Sequence, residues 1–298
     1  MTVPQFADNC AVKVWIIICY ADRLEAKLRR MQKNALDAAS HISCPIDQDL
    51  LARIYRLAYR LIVHNQVSKR ELLDKLSVVE STIDVVPSGN YLDGMEPLTE
   101  RIAERCTFGL WELKKVVLCF GQIKDVKGLD ILIEAVAIVA PEIPEITLLI
   151  AGRHWRNDFS PYEKLIEVLG IGDHCALDIR YIPNEELPKY FSAADLVILP
   201  YRQIFQSAVI LMAMSYGRPV VAFDLPGMLE MVADGQNGYT FQQGSKDALA
   251  AKLLQALRDD SGRNRVAAEA TRYIHEHHDW GQIGKSTAEI YRSLLSAG

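Results

Sequence analysis

The sequence predicts an α/β fold built on a mostly parallel, doubly wound sheet. Beyond residue 115, short apolar runs of strand length alternate with runs of helical periodicity, and glycine or proline marks the loops between them. Of the 298 residues, 50% are hydrophobic and 24% are charged, a balance that allows a substantial buried core. We therefore expect a globular chain of one large or two smaller domains.

The second part of the chain carries the regular alternation. Its predicted strands are 116–120, 146–151, 179–182 and 195–199. Its predicted helices are 129–140, 161–169, 185–192, 208–216, 248–258, 263–277 and 280–295. Repeated strand and helix units of this kind form a parallel sheet.

The first part of the chain is less regular. Its predicted elements are strand 12–20, helices 22–38 and 47–59, strand 60–64, helix 69–75, strand 83–86 and a linker helix within 98–111. The run 12–20, VKVWIIICY, is shorter than the roughly 20 residues of a bilayer-spanning helix. It also lacks the basic leader and cleavage site of a signal peptide, so we interpret it as a buried strand and expect no transmembrane segment.

The stretch 195–238 gathers polar groups at loops between buried elements. Pro200 ends a strand, Ser207 stands where it can cap the apolar helix 208–216, and Gly217 ends that helix. The positive end of the helix dipole predicts a phosphate site, with free N–H groups at Gln206, Ser207 and Ala208. An ordinary strand-to-helix turn without a ligand is the alternative.

A second basic loop, GQIKDVKGLD, follows the strand 116–120. Gly121 and Gly128 allow backbone turns that a Cβ would hinder, and Lys124 and Lys127 supply positive charge. This arrangement suits a nucleoside diphosphate leaving group, whose negative charge grows in the transition state. Two solvated lysines beside a turn are the alternative. The spacing fits neither a Walker A loop nor a GxGxxG loop, which disfavours an ATPase or an NAD enzyme.

Composition excludes several classes of function. The net charge of −5 gives no reason to expect nucleic acid or an acidic membrane as partner. The six cysteines lack a CxxC pair, so neither a zinc site nor a disulfide framework is predicted, and a reducing cytoplasm fits. The seven histidines form no convincing catalytic or metal-binding set. Trp155 follows a strand and is a candidate for stacking on a sugar or base.

Several motifs occur together in the order and spacing of one family, namely GQIKDVKGLDILIEA, LLIAGRHW, RYIPNEELPKYFSAADLVILPYR, QSAVILMAMSYGRPVVAFD and GMLEMVADGQNG. They resemble the retaining glycosyltransferases of group 1, also called family 4, over roughly 55–258 and most strongly over 116–240. The resemblance implies the GT-B fold, with a complete C-terminal Rossmann-like domain and a partial N-terminal one. The expected N-terminal, acceptor-side domain is 1–111, and the expected sugar-nucleotide-binding domain is 112–278. A helix at 279–298 is expected to cross back to the N-terminal domain.

The same resemblance implies roles for individual residues. Lys127 and Lys124 would stabilise the leaving diphosphate, and the backbone at 206–208 would cradle its distal phosphate. The base would lie against 181–184. The implied donor-binding residues are Gly121, Arg202, Gln206, Ser207, Ala208, Tyr181, Glu230 and Asn237. A surface ion pair is the alternative role of Arg202.

Other positions depart from the family pattern. Many members carry two glutamates eight positions apart on the helix, where this chain has Ile204 and Met212. Gln122 occupies a position that is often basic in the family, and Ser88 occupies one that is usually histidine. The resemblance also implies a shortened N-terminal domain without the family's glycine-rich loop, which would expose apolar surface and favour a like or unlike partner chain.

The expected function is transfer of a hexose from a nucleoside-diphosphate sugar to an acceptor hydroxyl, with retained anomeric configuration and without metal or cofactor. The acceptor is open, with a glycan or a lipid-linked molecule as candidates. The alternative is a non-catalytic or truncated module that binds a donor or a partner. A third possibility, an epimerase of the same architecture, lacks an evident set of histidine and carboxylate groups.

Overall fold

The computed structural model describes the backbone of 15–17, Tyr55 and the ranges 58–76, 78–92, 96–110, 114–154, 158–204 and 207–296. The chain divides into two compact units, Gly89–Asp279 and the remainder before and after it. The larger unit begins well before residue 112, where the sequence places a domain boundary. The division into domains therefore stays a prediction.

The described strands and helices follow one another along the chain. The strands are β1 (Trp15–Ile17), β2 (Arg60–Val63), β3 (Ile83–Val85), β4 (Lys115–Phe120), β5 (Ile146–Ala151), β6 (Cys175–Asp178), β7 (Leu196–Leu199), β8 (Val220–Phe223) and β9 (Tyr239–Phe241). The helices are α1 (Gln66–Leu76), α2 (Arg101–Thr107), α3 (Leu129–Val139), α4 (Ser160–Val168), α5 (Leu187–Ala193), α6 (Ala208–Ser215), α7 (Pro226–Leu229), α8 (Lys246–Arg258), α9 (Asp260–His277) and α10 (Trp280–Ser296).

The smaller unit contains a sheet in the order β1-β2-β3. β2 runs antiparallel to β1 and parallel to β3. Leu61 and Val63 on β2 are fully buried with Leu72 of α1, while Ile62 packs with Ile290 of α10. The two faces of β2 are therefore covered by different elements, as expected for a parallel pairing.

The larger unit contains a parallel sheet in the order β6-β5-β4-β7-β8-β9. The chain builds β4, β5 and β6 toward one side, then returns to pair β7 with the free edge of β4. Strand order thus reverses between β4 and β7, which makes this a doubly wound sheet with its switch point there. The predicted α/β fold is confirmed.

The sequence of β4 shows why this sheet is buried on both faces. Val117 and Cys119 pack in a core shared with α3 and α8, whereas Val116 and Leu118 pack in one shared with α5 and α6. Successive side chains of a strand point to opposite faces, so an unbroken apolar run fits a strand covered on both sides.

One predicted strand is wrong. The structure has β6 at Cys175–Asp178 instead of a strand at 179–182. In the parallel register Asp178 pairs with Ala151, the last residue of β5, so the ladder cannot continue past it. Arg180 instead forms ion pairs with Asp178 and Glu186, and the chain turns away from the sheet.

Other differences are small or fall outside the described residues. Helix α1 begins at Gln66, three residues before its predicted start, and Asn65 accepts a hydrogen bond from the Ser68 amide at 2.7 Å. That contact is an N-terminal capping bond. The predicted helices 22–38 and 47–59 lie outside the described residues except for Tyr55, which is helical. Only 15–17 of the predicted strand 12–20 is described, as β1.

The described cysteines, Cys106, Cys119 and Cys175, are free thiols. Burial raises the pKa of Cys119 to about 12 and that of Cys175 to about 11, which keeps both protonated at neutral pH. Among the helices described, none is long and apolar enough to cross a membrane.

Candidate functional site

Two loops meet at the switch point of the larger sheet. One follows β4 and the other follows β7, and these neighbouring strands are parallel, with Val117 opposite Leu196. Both loops therefore emerge at the carboxyl edge of the sheet. The crevice at such a point is the usual ligand site of an open α/β sheet.

The loop after β4 lies close to the loop after β5 and to α6, and a glycine in each of the two loops allows this approach. The Gly121 amide donates a hydrogen bond to the Ala151 carbonyl at 2.9 Å, and a Cβ on Gly121 would lie 3.5 Å from Val209 of α6. At Gly152, which has a φ of 141°, a Cβ would lie only 2.0 Å from the Gly121 carbonyl oxygen. Glycine is thus required at 152, and the β4 loop passes directly along the first turn of α6.

The same loop then packs on the loop after β7. A 3₁₀ turn, Asp125–Lys127, ends at Gly128, which has a φ of 64°. A Cβ on Gly128 would lie 2.0 Å from the Pro200 carbonyl oxygen, so only glycine allows this backbone approach. The two loops therefore touch at the backbone, immediately beside Lys127.

Lys127 is placed over an aromatic ring by this packing. Its Nζ lies 3.6 Å from the centroid of the Tyr201 ring, and Tyr201 is only 2% exposed. An ammonium over an aromatic face is a cation–π contact, worth about 0.5–2 kcal/mol. The ammonium of the predicted catalytic lysine is thus held beside the crevice.

Arg202 ties the two loops together. Its backbone amide donates to the Val126 carbonyl at 2.8 Å, and its guanidinium donates to the Asp125 carbonyl at 2.7 Å and to Asp130 at 2.5 Å. The hydrogen bond to Asp130 raises the pKa of Arg202 above its ordinary value. The guanidinium is therefore engaged within the protein, as in the ion-pair alternative, and its contact with a donor stays a prediction.

Replacing Arg202 with glutamine should loosen the turn that carries Lys127. We expect the free energy of unfolding to fall by about 1 kcal/mol, because the charge-assisted bond is lost and the Asp130 carboxylate is left without that partner, while both side chains are partly exposed. Urea unfolding measures the change. Arg258→Gln is the control, since Arg258 pairs with Glu142 where both side chains are more than half exposed. Equal small losses in both variants would contradict the clamp role of Arg202.

Ser207 occupies the predicted cap position of α6 without making the predicted bond. Its backbone is extended, but its side chain forms no capping hydrogen bond, and its Oγ lies 3.4 Å from the Tyr201 hydroxyl. Ser207 is buried, whereas Ala208 is exposed at the first helical position. The first-turn amides therefore receive no acceptor from Ser207. Gln206 and Trp155 lie outside the described residues.

The remaining predicted residues are spread around the unit. Lys124 precedes the 3₁₀ turn, and its carbonyl accepts the Lys127 amide at 2.8 Å. Tyr181 is 67% exposed in the loop after β6. Glu230 ends α7, and its carbonyl accepts the Tyr273 hydroxyl at 3.2 Å. The structure thus brings Gly121, Lys127, Ser207 and Ala208 to one edge of the sheet.

Asn237 is not at that edge. It lies just before β9, at the amino edge of the sheet, and is 7% exposed. Its side chain accepts the Ala233 amide at 2.7 Å and donates to the Met231 carbonyl at 2.8 Å. The observed contacts order the turn before β9, and the contact of Asn237 with a donor stays a prediction.

Sequence reasoning missed Tyr201 and Asp130. Tyr201 directly follows the strand-ending Pro200, and Asp130 lies in the first turn of α3, so both stand inside motifs that were recognised. The signal available in the sequence was a tyrosine directly after the end of a buried strand, where its ring can support a ligand or a side chain. Among the described residues, no three His, Cys, Asp or Glu side chains come together in a way that could hold a metal ion.

Comparisons with known proteins identify the family of the chain. The family model described as Glycosyl transferases group 1 matches residues 103–273. A D-inositol 3-phosphate glycosyltransferase from Mycolicibacterium smegmatis is 35% identical over 71% of this chain and 48% of its own length. One from Streptomyces avermitilis is 30% identical over 82% of this chain and 54% of its own length. The chain thus spans about half the length of these relatives.

Solved structures show the same fold. Sucrose-phosphate synthase from Thermosynechococcus elongatus superposes with a TM-score of 0.74 at 22% identity, covering 88% of this chain and 64% of that one. Anabaena Alr3699/HepE, in complex with UDP, gives a TM-score of 0.74 at 22% identity over 86% of this chain and 69% of that one. These likenesses confirm the predicted fold class.

Proposed function

The chain belongs to the group 1 glycosyltransferases, and on that premise we propose that the crevice between the loops after β4 and β7 binds the diphosphate of a sugar nucleotide. The proposed reaction transfers the hexose to an acceptor hydroxyl with retention of anomeric configuration. The observation that carries this proposal is the Lys127 ammonium, held 3.6 Å above the Tyr201 ring at the switch point.

The proposed chemistry follows from charge already in place. As the bond from the sugar to the diphosphate breaks, negative charge grows on the leaving oxygen. Lys127 can offer its ammonium to that oxygen, because a cation–π contact is easily exchanged for a charge-assisted hydrogen bond to phosphate. The amides at Ser207 and Ala208 and the positive end of the α6 dipole add to the attraction for phosphate. Lys124 has a supporting role in this scheme.

Relatives support a sugar nucleotide as donor. Structures of Anabaena Alr3699/HepE are described as complexes with UDP and with UDP-glucose. The curated relatives are described as acting with D-inositol 3-phosphate, which makes a phosphorylated polyol a reasonable acceptor to test beside glycans and lipid-linked molecules. We therefore propose that the donor is a sugar nucleotide and that the acceptor is a hydroxyl group. The experiment below tests which molecule carries that hydroxyl.

A second function, donor binding without turnover, is favoured by one observation. Ile204 and Met212 stand where many members have glutamates, and both are partly buried against the core around Ile210. Isoleucine offers no acceptor to a sugar hydroxyl and the methionine thioether only a weak one. We therefore expect weak discrimination among hexoses. Slow but measurable turnover would identify an enzyme, whereas its absence would identify a binding module.

The test is a transfer assay followed by NMR. The chain is incubated with UDP, GDP and ADP hexoses labelled at the anomeric carbon, alone and with D-inositol 3-phosphate or glycan acceptors. We expect one nucleotide series to give a glycoside that keeps the α configuration of its donor. A β product would contradict retention. Saturable nucleotide binding without any transfer or hydrolysis would establish the binding-module alternative instead.

A further inference from the structure

The opposite, amino edge of the larger sheet holds a buried carboxylate surrounded by arginines. Asp195 directly precedes β7 and is 5% exposed. Its Oδ2 accepts hydrogen bonds from the Arg105 guanidinium and the Val116 amide, both at 2.7 Å. The Arg101 guanidinium lies 3.2 Å from its other oxygen. Both oxygens of the Asp195 carboxylate therefore already have partners within the protein.

Arg101 and Arg105 are further engaged by the end of α5. Arg105 donates to the Ala193 carbonyl at 3.0 Å, and Arg101 donates to the carbonyls of Ser192 at 3.3 Å and Ala194 at 3.0 Å. These bonds fix both guanidinium groups in place. Arg101 nevertheless keeps 42% of its side chain exposed, so the cluster is open to solvent on one side.

Arg218 stands beside this cluster without a partner. Val197 pairs with Val220, which places Arg218 level with Asp195 at the amino ends of β8 and β7. Its Nε is buried without a hydrogen bond, and within the described ranges its guanidinium forms no ion pair. Burial, together with the positive charge of Arg101 and Arg105, lowers its pKa to about 10. Arg218 is thus a cation at neutral pH whose buried Nε donor is unsatisfied.

The wider surroundings keep the excess of positive charge. Lys115 and Arg263 share Asp260, at 2.8 and 2.5 Å, and both Arg263 and Asp260 act electrostatically on Arg101. The five cations Arg101, Arg105, Arg218, Lys115 and Arg263 therefore outnumber the three carboxylates Asp195, Asp260 and Glu104, the last of which lies on α2 between Arg101 and Arg105. A partly buried guanidinium in such a field is costly unless an anion pairs with it.

We propose that Arg218 and Arg101 form a second anion site, which binds a phosphate monoester at the amino edge of the larger sheet. Guanidinium groups match the geometry of phosphate oxygens and bind them through paired hydrogen bonds. Leu98 and Ile102, three residues before and one residue after Arg101 in the chain, are 41% and 43% exposed, which suits a phosphate carried by an apolar group as well as a free one. This site is independent of the donor crevice, which lies at the carboxyl edge.

The test uses inorganic phosphate as the probe, titrated calorimetrically into the full chain at constant ionic strength. We expect saturable binding that persists in Lys127→Ala, which removes the ammonium that carries the proposed donor site. Arg218→Gln should weaken it at least about tenfold, or by about 1.4 kcal/mol. Arg258→Gln, which removes an exposed, paired arginine, should leave it unchanged. If Arg218→Gln does not fold, Arg101→Gln replaces it.

A second arm separates the two sources of the phosphate group. The chain is sedimented with phosphatidylcholine vesicles, with and without phosphatidic acid, whose headgroup is a phosphate monoester. Binding to phosphatidic acid vesicles that Arg218→Gln abolishes supports the site with a lipid as source, and saturable inorganic phosphate binding supports a free ion. The proposal is overturned if phosphate binding is equal in Arg218→Gln, is lost in Lys127→Ala, or is absent in both arms.

Discussion

Replacing Lys127 with alanine should lower the affinity for a nucleoside diphosphate by about ten- to a hundredfold. A hydrogen bond to a charged group is worth about 1.5–3 kcal/mol, and the lysine holds its ammonium within 3.6 Å of the Tyr201 ring beside the crevice. The affinity for the matching nucleoside monophosphate should change far less, because the ammonium serves the distal phosphate. Calorimetric titration of both nucleotides measures the difference.

The same variant should slow sugar transfer more than it weakens binding. Loss of one preorganised donor to a developing oxyanion costs about a hundred- to a thousandfold in rate. Lys164→Ala is the control, because it removes an exposed lysine of α4 that belongs to neither of the two loops. If Lys127→Ala and Lys164→Ala bind nucleoside diphosphate equally well, Lys127 does not contact the diphosphate.

Replacing Gly128 with alanine should abolish nucleotide binding and lower the free energy of unfolding by about 3 kcal/mol. Two costs add. A φ of 64° is unfavourable for alanine by about 1–2 kcal/mol, and the new Cβ would lie 2.0 Å from the Pro200 carbonyl oxygen. Relief of that collision separates the two loops that hold Lys127 over Tyr201. Urea unfolding and nucleotide titration report the two effects separately.

Gly170→Ala provides a matched control for this variant. Gly170 has a φ of 65°, almost the same as Gly128, but a Cβ there would meet nothing within 4 Å. We expect Gly170→Ala to lose about 1 kcal/mol and to bind nucleotide normally. The difference between the variants isolates the contact with Pro200. Equal losses in both would show that the approach of the two loops contributes little.

Much of the larger unit was predictable because its strands are covered on both faces. β4 and β5 are apolar over nearly their whole length, and glycine follows each of them, so their position is set by local sequence. Helix α6 was predictable for the same reason. In contrast, β6 is a partly exposed edge strand with the sequence CALD, whose end is determined by the end of β5. Local periodicity carries no such information.

The candidate site was predictable in its loops but not in its contacts. The glycines and lysines of the β4 loop are visible in the sequence, whereas the contact between Lys127 and Tyr201 joins residues far apart in the chain. The same holds for the ion pair between Arg202 and Asp130, which joins the two loops. Asn237 shows the converse, since its motif was recognised but the chain places it at the other edge.

The most direct test of the account is to locate nucleotide binding on the chain by NMR. UDP, GDP and ADP are titrated into isotopically labelled protein while the backbone amide resonances are followed. We predict that one nucleotide binds saturably and shifts the amides of Gly121, Gly128, Ser207 and Ala208, while the Arg218 amide at the opposite edge does not move. Saturable binding that leaves these four amides unchanged, or no binding of any of the three nucleotides to the folded chain, would contradict a diphosphate site at the switch point.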